Sequence, residues 1–338
     1  HDQMEEDKDH YPEKLREATK ASISFAIKIE NGKIVKLDEG TNNIYSFLPT
    51  TVSLYDFPFI VNSNFITDAG RQNLHQDYIW NQWLFEEMPK HFLLWMGELA
   101  TSNRYGLEYL RMIVKEIGGS GELSNAYNNG MMTSLDAIPF IQVPNSGLKL
   151  IKDVVWDSTS INNCVSKKLF IDYINKDGAL YCENGILPLT YQPYERVLKY
   201  LGVLVFDKES LSNFLESDIF INSHRVSDNG NLISFLHKRY PLDKTSSEID
   251  ILWLQNLTFI FNNHGVLAKP ISVCFPSIDY SGGFSDEIDY INDSVYQSLS
   301  QQCIEWLKKL GVSQPTDVSI IDTEKIFEEG FVTHENAI

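Results

Sequence analysis

The first regular pattern in the chain is a strict alternation of apolar and other residues. Apolar side chains occupy every second position here: Ile23, Phe25, Ile27 and Ile29. This period of two is that of a strand with one buried face. Asn31 and Gly32 follow, and both tolerate the positive φ angles of a tight turn. The pattern predicts a β-hairpin whose second strand runs through residues 33–37. Two more apolar runs, 45–48 and 57–61, are typical of strands and extend this to a small sheet.

Helical spacing replaces the alternation after the sheet. Thr67 and Asp68 are both good N-cap residues, so the first helix is expected to start there. Its apolar positions are Trp80, Trp83, Leu84 and Met88. Pro89 is expected to end or kink this helix or to open the next one, because proline has no N–H to donate. Further helices are predicted at residues 90–99 and 107–117.

Gly118–Gly121 is the clearest flexible break, although a boundary near Asn145–Gly147 is compatible with the same pattern. We place the boundary at the first. The predicted organisation is a charged lead-in at residues 1–20, an α/β domain at 21–118 and a second domain at 119–338.

The second domain contains two similar segments, each with the pattern of a strand, a glycine turn and a second strand. The first copy comprises Ile138–Ile141, Gly147 and Asp153–Trp156, and the second comprises Leu257–Ile260, Gly265 and Ser272–Phe275. One gap aligns the two, and helical stretches lie between them at residues 194–201 and 208–215. Hydrophobic hairpins with a glycine turn are common, so the pattern alone is equally compatible with a repeat and with coincidence.

Near the end of the chain, helical spacing returns. The apolar positions are Ile291, Val295, Leu299, Cys303, Trp306, Leu307 and Leu310. Gly311 is expected to terminate this helix, and another helix is predicted at 323–329. The fold class is therefore α+β: a small mixed sheet with helices, followed by a helical region with strand-turn-strand units.

Composition limits the partners. The formal net charge is -18 over 338 residues, which disfavours nucleic-acid binding.

The four cysteines are far apart in sequence and form no Cys-x-x-Cys pair, so no zinc or redox motif is indicated. No apolar run approaches the ~18 residues that span a bilayer, and the acidic start is unlike a secretory signal. We expect no membrane partner, a cytoplasmic protein, and a preceding segment upstream of His1.

Sequence motifs for catalysis are largely missing. Glu122 and Asn125 are one residue too close for the Glu-x-x-x-Asn helix that one class of ATP site requires, and no phosphate-binding Gly-x-x-x-x-Gly-Lys motif occurs. Ser120 and Ser281 lack a nucleophile-elbow frame. His75 and Asp77, two apart on the predicted helix, would point to different faces. The acidic residues at 286–293 lack the ligand order of a calcium loop.

Arg71 is the exception. In a helix capped by Asp68 it would lie in the first turn, where the exposed N–H groups favour an anion and disfavour a cation. A guanidinium beside free backbone donors suits a phosphate or carboxylate. An ion pair with Asp68 or Glu86 explains the residue equally well.

Several short sequence motifs in the first hundred residues together resemble a known family. They are Tyr45-Ser-Phe-Leu-Pro-Thr50, Phe57-Pro-Phe-Ile-Val-Asn62, Asn64-Phe65, Arg71 and Trp80-Asn81. Their order is similar to the region downstream of the nucleotide pocket in sacsin-like proteins, whose ATPase domain belongs to the GHKL superfamily. The strand-turn-strand units resemble this family moderately, and the phrase Trp306–Val312 resembles it weakly.

The resemblance implies a transducer-like middle region that couples an upstream ATPase domain to a protein client. It implies that Arg71 contacts the terminal phosphate of ATP bound elsewhere, and that Asn62, Asn64, Trp80 and Asn81 are first of all structural. ATP and magnesium are implied for the full-length ATPase, with no cofactor or metal in this segment, which alone is not expected to be an enzyme. The alternative is a free-standing interaction module that recruits a protein through its acidic surface and the helix at Trp80–Trp83.

Overall fold

The computed structural model describes residues 20–38, 40–52, 55–243, 246–276 and 288–314. The predicted helix at 323–329, Ser281, Asp286, Glu287 and nearly all of the charged lead-in lie outside the described residues. Two compact units share the chain: the first comprises residues 1–158 and 180–205, and the second comprises 159–179 and 206–338. The α+β class is confirmed, since both units combine helices with small sheets.

The strands of the described residues are short. They are β1 Ser24–Ala26, β2 Lys28–Glu30, β3 Lys33–Val35, β4 Ile44–Ser46, β5 Leu48–Pro49, β6 Ile60–Asn62, β7 Ile141–Val143, β8 Gly147–Lys149, β9 Val155–Asp157, β10 Ile186–Leu187, β11 Leu204–Phe206, β12 Ile260–Phe261 and β13 Leu267–Ala268. The α-helices are α1 Ile79–Ser102, α2 Glu122–Ala137, α3 Lys167–Ile174, α4 Glu195–Leu201, α5 Lys208–Leu215, α6 Asp218–Ser223, α7 Val226–Arg239, α8 Glu248–Asn256, α9 Asp293–Ser298 and α10 Gln301–Lys309.

The predicted hairpin and the mixed sheet are both present. β2 and β3 pair antiparallel around Asn31 and Gly32, whose φ angles are 50° and 76°. A separate four-stranded sheet has the order β1-β6-β4-β5, with β4 and β6 parallel and the other pairs antiparallel. The alternating stretch therefore divides at Ile27, because its first part joins the sheet and its second part forms the hairpin.

Helix α1 differs from the prediction at both of its expected boundaries. It begins at Ile79 rather than near Asp68, and it continues through Pro89 for 24 residues. Proline in a helix interior removes one hydrogen bond, which costs about 3 kcal/mol. Met88, Pro89 and Phe92 are all buried, so burial of the apolar face offsets this loss.

Residues 107–117 form only a short 3₁₀ helix, Glu108–Met112, and not the predicted α-helix. The following N–H groups are bound by side chains distant in sequence. The Tyr200 hydroxyl accepts from the backbone N–H groups of Lys115 and Glu116 at 3.0 and 3.1 Å, and the Asn128 side chain accepts from Ile117. These tertiary hydrogen bonds replace those of a continued helix.

The Gly118–Gly121 loop, where the sequence suggests a domain boundary, lies within the first unit. It leads into α2, which begins at Glu122 and packs along α1. The backbone at Gly130 of α2 touches that of Glu86 in α1 so closely that a Cβ there would overlap the Glu86 carbonyl group. The compact units thus divide the chain differently from the proposed boundary.

The two strand-turn-strand units have the same sequence of elements at a constant difference of 119 in residue number. The preceding helices end at Ala137 and Asn256, and the 3₁₀ helices after the hairpins are Ile151–Asp153 and Pro270–Ser272. The N–H of Phe140 bonds the carbonyl of Lys149, as the N–H of Phe259 bonds that of Ala268. No gap is needed, so the predicted one-gap alignment is wrong: Gly147 and Gly265 both have positive φ but occupy neighbouring turn positions.

The similarity extends beyond the hairpins. β9 lies between β10 and β11, and Cys274 likewise bridges to Tyr290 on one side and Ser313 on the other. In each case the last helix is followed by a glycine with positive φ, Gly202 and Gly311. The matching segments are Leu198-Lys-Tyr-Leu-Gly-Val203 and Leu307-Lys-Lys-Leu-Gly-Val312. We call residues 89–157 with 186–205 the first copy, and 208–276 with 288–314 the second copy.

Among the helices of the described residues, none is both long enough and apolar enough to cross a bilayer.

Candidate functional site

The phrases that resemble the sacsin-like family meet in one part of the first unit. β4 and β6 pair in parallel with Tyr45 opposite Asn62, and the Ser46 hydroxyl donates to the carbonyl of Phe65 at 2.8 Å. Arg71 reaches the same strand end, since its Nη2 donates to the Ser46 carbonyl at 2.7 Å. Segments separated by up to 25 residues therefore form a single cluster.

The tip of the β4–β5 hairpin is an exposed apolar projection. Phe47 lies between the paired residues Ser46 and Leu48. Its side chain is 74% exposed and that of Leu48 is 62% exposed, and we call these two residues the Phe47 tip. The φ of Phe47 is 61°, an uncommon value for a bulky residue. The N–H of Phe47 donates to Asn62 Oδ1 at 3.0 Å, which helps to hold this conformation.

The sequence predicts that Arg71 lies in the first turn of a helix. In the structure it lies in a turn before the helix instead. Residues 67–74, the Arg71 loop, are closed by a bridge between Thr67 and Leu74. The N–H of Arg71 donates to the Asp68 carbonyl at 3.0 Å, and its φ is 55°. Asp68 is as suitable for a turn as for a helix cap, because its side chain can accept from backbone groups of either structure.

Both oxygens of the Asp68 carboxylate accept hydrogen bonds within its own loop. Oδ2 accepts from the Asn73 side chain at 2.9 Å, and Oδ1 accepts from the N–H of Gln72 at 2.8 Å. These bonds, with that to Asn73 the largest cause, lower the pKa of Asp68. The carboxylate thus stabilises the loop, and among the described residues no ion pair joins it to Arg71.

The Arg71 side chain is half-buried, and within the described ranges its hydrogen-bond partner is the Ser46 carbonyl. An arginine carries five N–H donors, and this contact uses one of them. No ion pair of Arg71 with Asp68 or Glu86 occurs in this part of the chain. The loop backbone is fixed to the sheet as well, because the Arg71 carbonyl accepts from the N–H of Thr51 at 3.0 Å. The guanidinium is thereby positioned and retains donors for an anion.

The other four residues of the resemblance hold the surrounding loops. Asn81 is fully buried: its Oδ1 accepts from the N–H of Ile66, and its Nδ2 donates to the carbonyls of Ile66 and His75. Trp80 Nε1 donates to the carbonyl of Asn64 at 2.8 Å. Asn62 supports the Phe47 tip, because its Oδ1 accepts from the N–H of Phe47. These contacts connect the start of α1 to both ends of the Arg71 loop.

Trp80 and Trp83 have different environments. Trp80 is 4% exposed and belongs to the core, whereas Trp83 is 43% exposed. Only Trp83 of this pair is accessible to a protein partner.

The remaining candidate groups gain no catalytic geometry. His75 and Asp77 lie in the loop before α1 and not on a helix, and the His75 ring stacks on Tyr78 at 4.5 Å. Glu122 and Asn125 belong to the first turn of α2. Among the described residues, no group of three or more His, Cys, Asp or Glu side chains is arranged to hold a metal ion.

The sequence indicated Arg71 but not the exposed tip beside it. The signal was present in the phrase itself, because Phe47 and Leu48 are adjacent apolar residues directly before Pro49 and cannot both face one side of a strand. Together, an anchored guanidinium and an apolar projection suit a group that is both anionic and partly apolar. Comparisons with protein-family models, with curated proteins and with solved structures give no match to this chain.

Proposed function

We propose that this chain is a transducer-like middle region of a sacsin-like GHKL ATPase, in which Arg71 contacts the terminal phosphate of ATP held by an upstream domain. The observation that supports this most is the state of the Arg71 guanidinium. It is anchored by one hydrogen bond to the Ser46 carbonyl and forms no ion pair among the described residues. A positioned cation with unused donors is what stabilisation of a transferring phosphoryl group requires.

Backbone strain beside this cation supports the same proposal. Phe47 and Arg71 both have φ near 60°. Arg71 donates to the Ser46 carbonyl, and Phe47 is the residue that follows Ser46. Non-glycine residues in this region cost on the order of 1–3 kcal/mol each, and such strain is concentrated at functional sites. A phosphate that binds Arg71 in one nucleotide state would bias the position of the loop, which is how coupling arises.

The residues present suit a contact to ATP and not a complete site. Arg71 can donate to phosphate oxygens, whereas the described residues offer no carboxylate cluster for magnesium. In this proposal the upstream domain binds ATP and magnesium, and ATP supplies the phosphoryl group that is transferred. The contribution of this chain is the guanidinium and the Phe47 tip, which would pack against that domain.

The second candidate is an interaction module without nucleotide coupling. The Phe47 tip and Trp83 favour it, because exposed aromatic and aliphatic side chains are common anchors for protein partners. In that case Arg71 would bind a carboxylate of the partner.

Steady-state ATP turnover by the protein expressed from its complete gene tests the proposal. We expect Arg71→Ala to lower kcat by at least about tenfold with unchanged nucleotide affinity, because a transition-state contact is lost. Arg71→Lys should recover only part of the activity, since the planar fork is missing. Arg104→Ala is the matched control: Arg104 is exposed and stacks on Tyr105 in the same unit.

Thermal unfolding of each variant separates a folding defect from a catalytic one. Equal turnover in Arg71→Ala and wild type would exclude Arg71 from the reaction. Absence of ATP turnover in the complete protein would favour the interaction module.

A further inference from the structure

A cleft in the first unit marks a difference between the two copies. Its volume is about 690 Å³, and it lies between α2, the 3₁₀ helix at 151–153 and the end of α4. This volume is within the 300–1,000 Å³ typical of ligand sites. At the equivalent place in the second copy, Ile271 is 57% exposed but contacts the end of the last helix: its Cγ2 is 3.1 Å from the position that a Cβ would have on Gly311. The residue equivalent to Ile271 is Lys152, and the cleft is open beside it.

The cleft has an apolar floor. Leu135, Ile151 and Leu201 line it and are buried, and Met132, at 66% exposure, lies at its rim. These side chains provide a surface for an aliphatic group of a ligand, whose transfer from water is favourable by about 25 cal/mol per Å². The floor is rigid, because Leu135 and Leu201 belong to the main core of the first unit.

Two lysines, Lys115 and Lys152, line the same cleft. Lys115 is half-buried, and its Nζ is 3.9 Å from the position of a Cβ on Gly202. The Tyr200 hydroxyl fixes the backbone of Lys115 by accepting from its N–H. Within the ranges that the structure describes, neither Lys115 nor Lys152 has a carboxylate partner, although the chain carries 46 acidic and only 28 basic residues. Unpaired ammonium groups beside apolar surface favour an anionic ligand group.

The number of charges on the ligand is also limited. Glu116 and Asp136 line the cleft as well, and both are exposed. Their carboxylates would repel a second negative charge on the ligand. A single carboxylate is therefore favoured over a phosphate, which carries nearly two charges at neutral pH.

We propose that this cleft binds a ligand with an aliphatic body and one carboxylate, held by Lys115 and Lys152 over the floor of Leu135, Ile151 and Leu201. The same chemistry occurs in a free branched-chain carboxylic acid and in the C-terminus of a peptide with an apolar last residue. This proposal is independent of the Arg71 site, since none of the cleft residues belongs to it.

Titration calorimetry on the full chain tests the proposal with three probes. They are 4-methylpentanoate, acetyl-Leu-Leu with a free carboxylate, and the C-terminal amide of the same peptide. We expect at least one acid to bind and the amide to bind at least about tenfold more weakly than its acid, because the amide cannot form the charged hydrogen bond. Tighter binding of the free acid would indicate a small-molecule ligand, and tighter binding of the peptide acid would indicate a C-terminus.

Two substitutions connect binding to the cleft. Lys115→Gln should weaken binding of the acids by at least about tenfold without a change for the amide. Lys152→Ile installs the residue of the second copy and should abolish binding. Lys33→Ile, at the exposed first position of strand β3, is the control and should bind as wild type does. Equal affinity for acid and amide, unchanged binding in both cleft variants, or no binding at about 10 mM, beyond the millimolar range of weak specific sites, would each overturn the proposal.

Discussion

The two copies share one arrangement of elements but bury it differently. In the first copy, α2 packs along the 24-residue helix α1, and Gly130 permits close contact with Glu86. In the second copy, the helix at the equivalent place is α5, which begins at Lys208, the counterpart of Pro89. Residues 198–207, the counterparts of the first ten residues of α1, lie outside α5, and Ile249, the counterpart of Gly130, is 78% exposed. The difference shows that glycine here is required by a neighbouring helix and not by the helix that contains it.

A second difference concerns how each hairpin is held. In the first copy, the Tyr109 hydroxyl donates to the carbonyl of Phe140 at 3.0 Å and lies 3.5 Å from the N–H of Gln142. In the second copy, the Asn229 amide binds the equivalent carbonyl of Phe259 at 2.7 Å and the N–H of Phe261 at 3.1 Å. Both side chains are fully buried. The equivalent carbonyl is thus satisfied by a hydroxyl in one copy and by an amide in the other, and only the Asn229 amide also binds the second backbone group, the N–H of Phe261, at a short distance.

The largest effect is expected from Asn229→Leu. The substitution leaves the Phe259 carbonyl and the Phe261 N–H buried without partners, and at about 1–3 kcal/mol for each group we expect a loss of about 4 kcal/mol in the free energy of unfolding. Tyr109→Phe removes one good hydrogen bond and should cost about 1–2 kcal/mol. Urea unfolding measures both values. Equal losses would contradict the different roles assigned to these two side chains.

Gly130→Ala should cause the next largest loss in the free energy of unfolding. The new methyl group would overlap the Glu86 carbonyl group, so α1 and α2 must separate, at a cost of about 3 kcal/mol that outweighs the gain of about 1 kcal/mol in helix propensity. Ile249→Ala is the matched control at the equivalent position and should change stability by less than about 0.5 kcal/mol. A stabilised Gly130→Ala variant would mean that the two helices are not in close contact at this point.

The smallest effect is a dependence on alkaline pH. Burial raises the pKa of Tyr109 to about 12. A group whose pKa is higher in the folded state contributes stability that is complete below its unfolded pKa of about 10 and is lost as the pH rises through about 12. Between pH 9 and 11 we therefore expect wild type to lose about 1 kcal/mol more than Tyr109→Phe, which lacks the titrating hydroxyl. Parallel pH profiles of the two proteins would refute this.

The sequence predicted those elements whose signal is local. Alternation at residues 23–29 and the Asn31–Gly32 turn correctly indicated the hairpin, and the spacing of Trp80, Leu84 and Met88 correctly indicated α1. The errors arose where distant contacts decide. Residues 107–117 leave the helix because Tyr200, far along the chain, binds their N–H groups.

The candidate site shows the same limit. Residue types identified Arg71 as unusual, but its helical position was wrong, because Asp68 suits a turn as well as a cap. The Phe47 tip depends on the pairing of Ser46 with Leu48, which no local pattern specifies. The sequence alignment paired Gly147 with Gly265 and therefore needed a gap, whereas the hydrogen bonds of Phe140 and Phe259 give a register without one, in which these two glycines lie one position apart.

The division of the chain between the two units has a consequence for synthesis. Residues 159–179 belong to the second unit, and they precede residues 180–205, which belong to the first. While the protein emerges from the ribosome, strand β10 and helix α4 are added to the first unit late, when part of the second has already been made. Folding of the first unit is therefore completed only once residue 205 is free, and cutting the gene at a single point cannot yield both units intact.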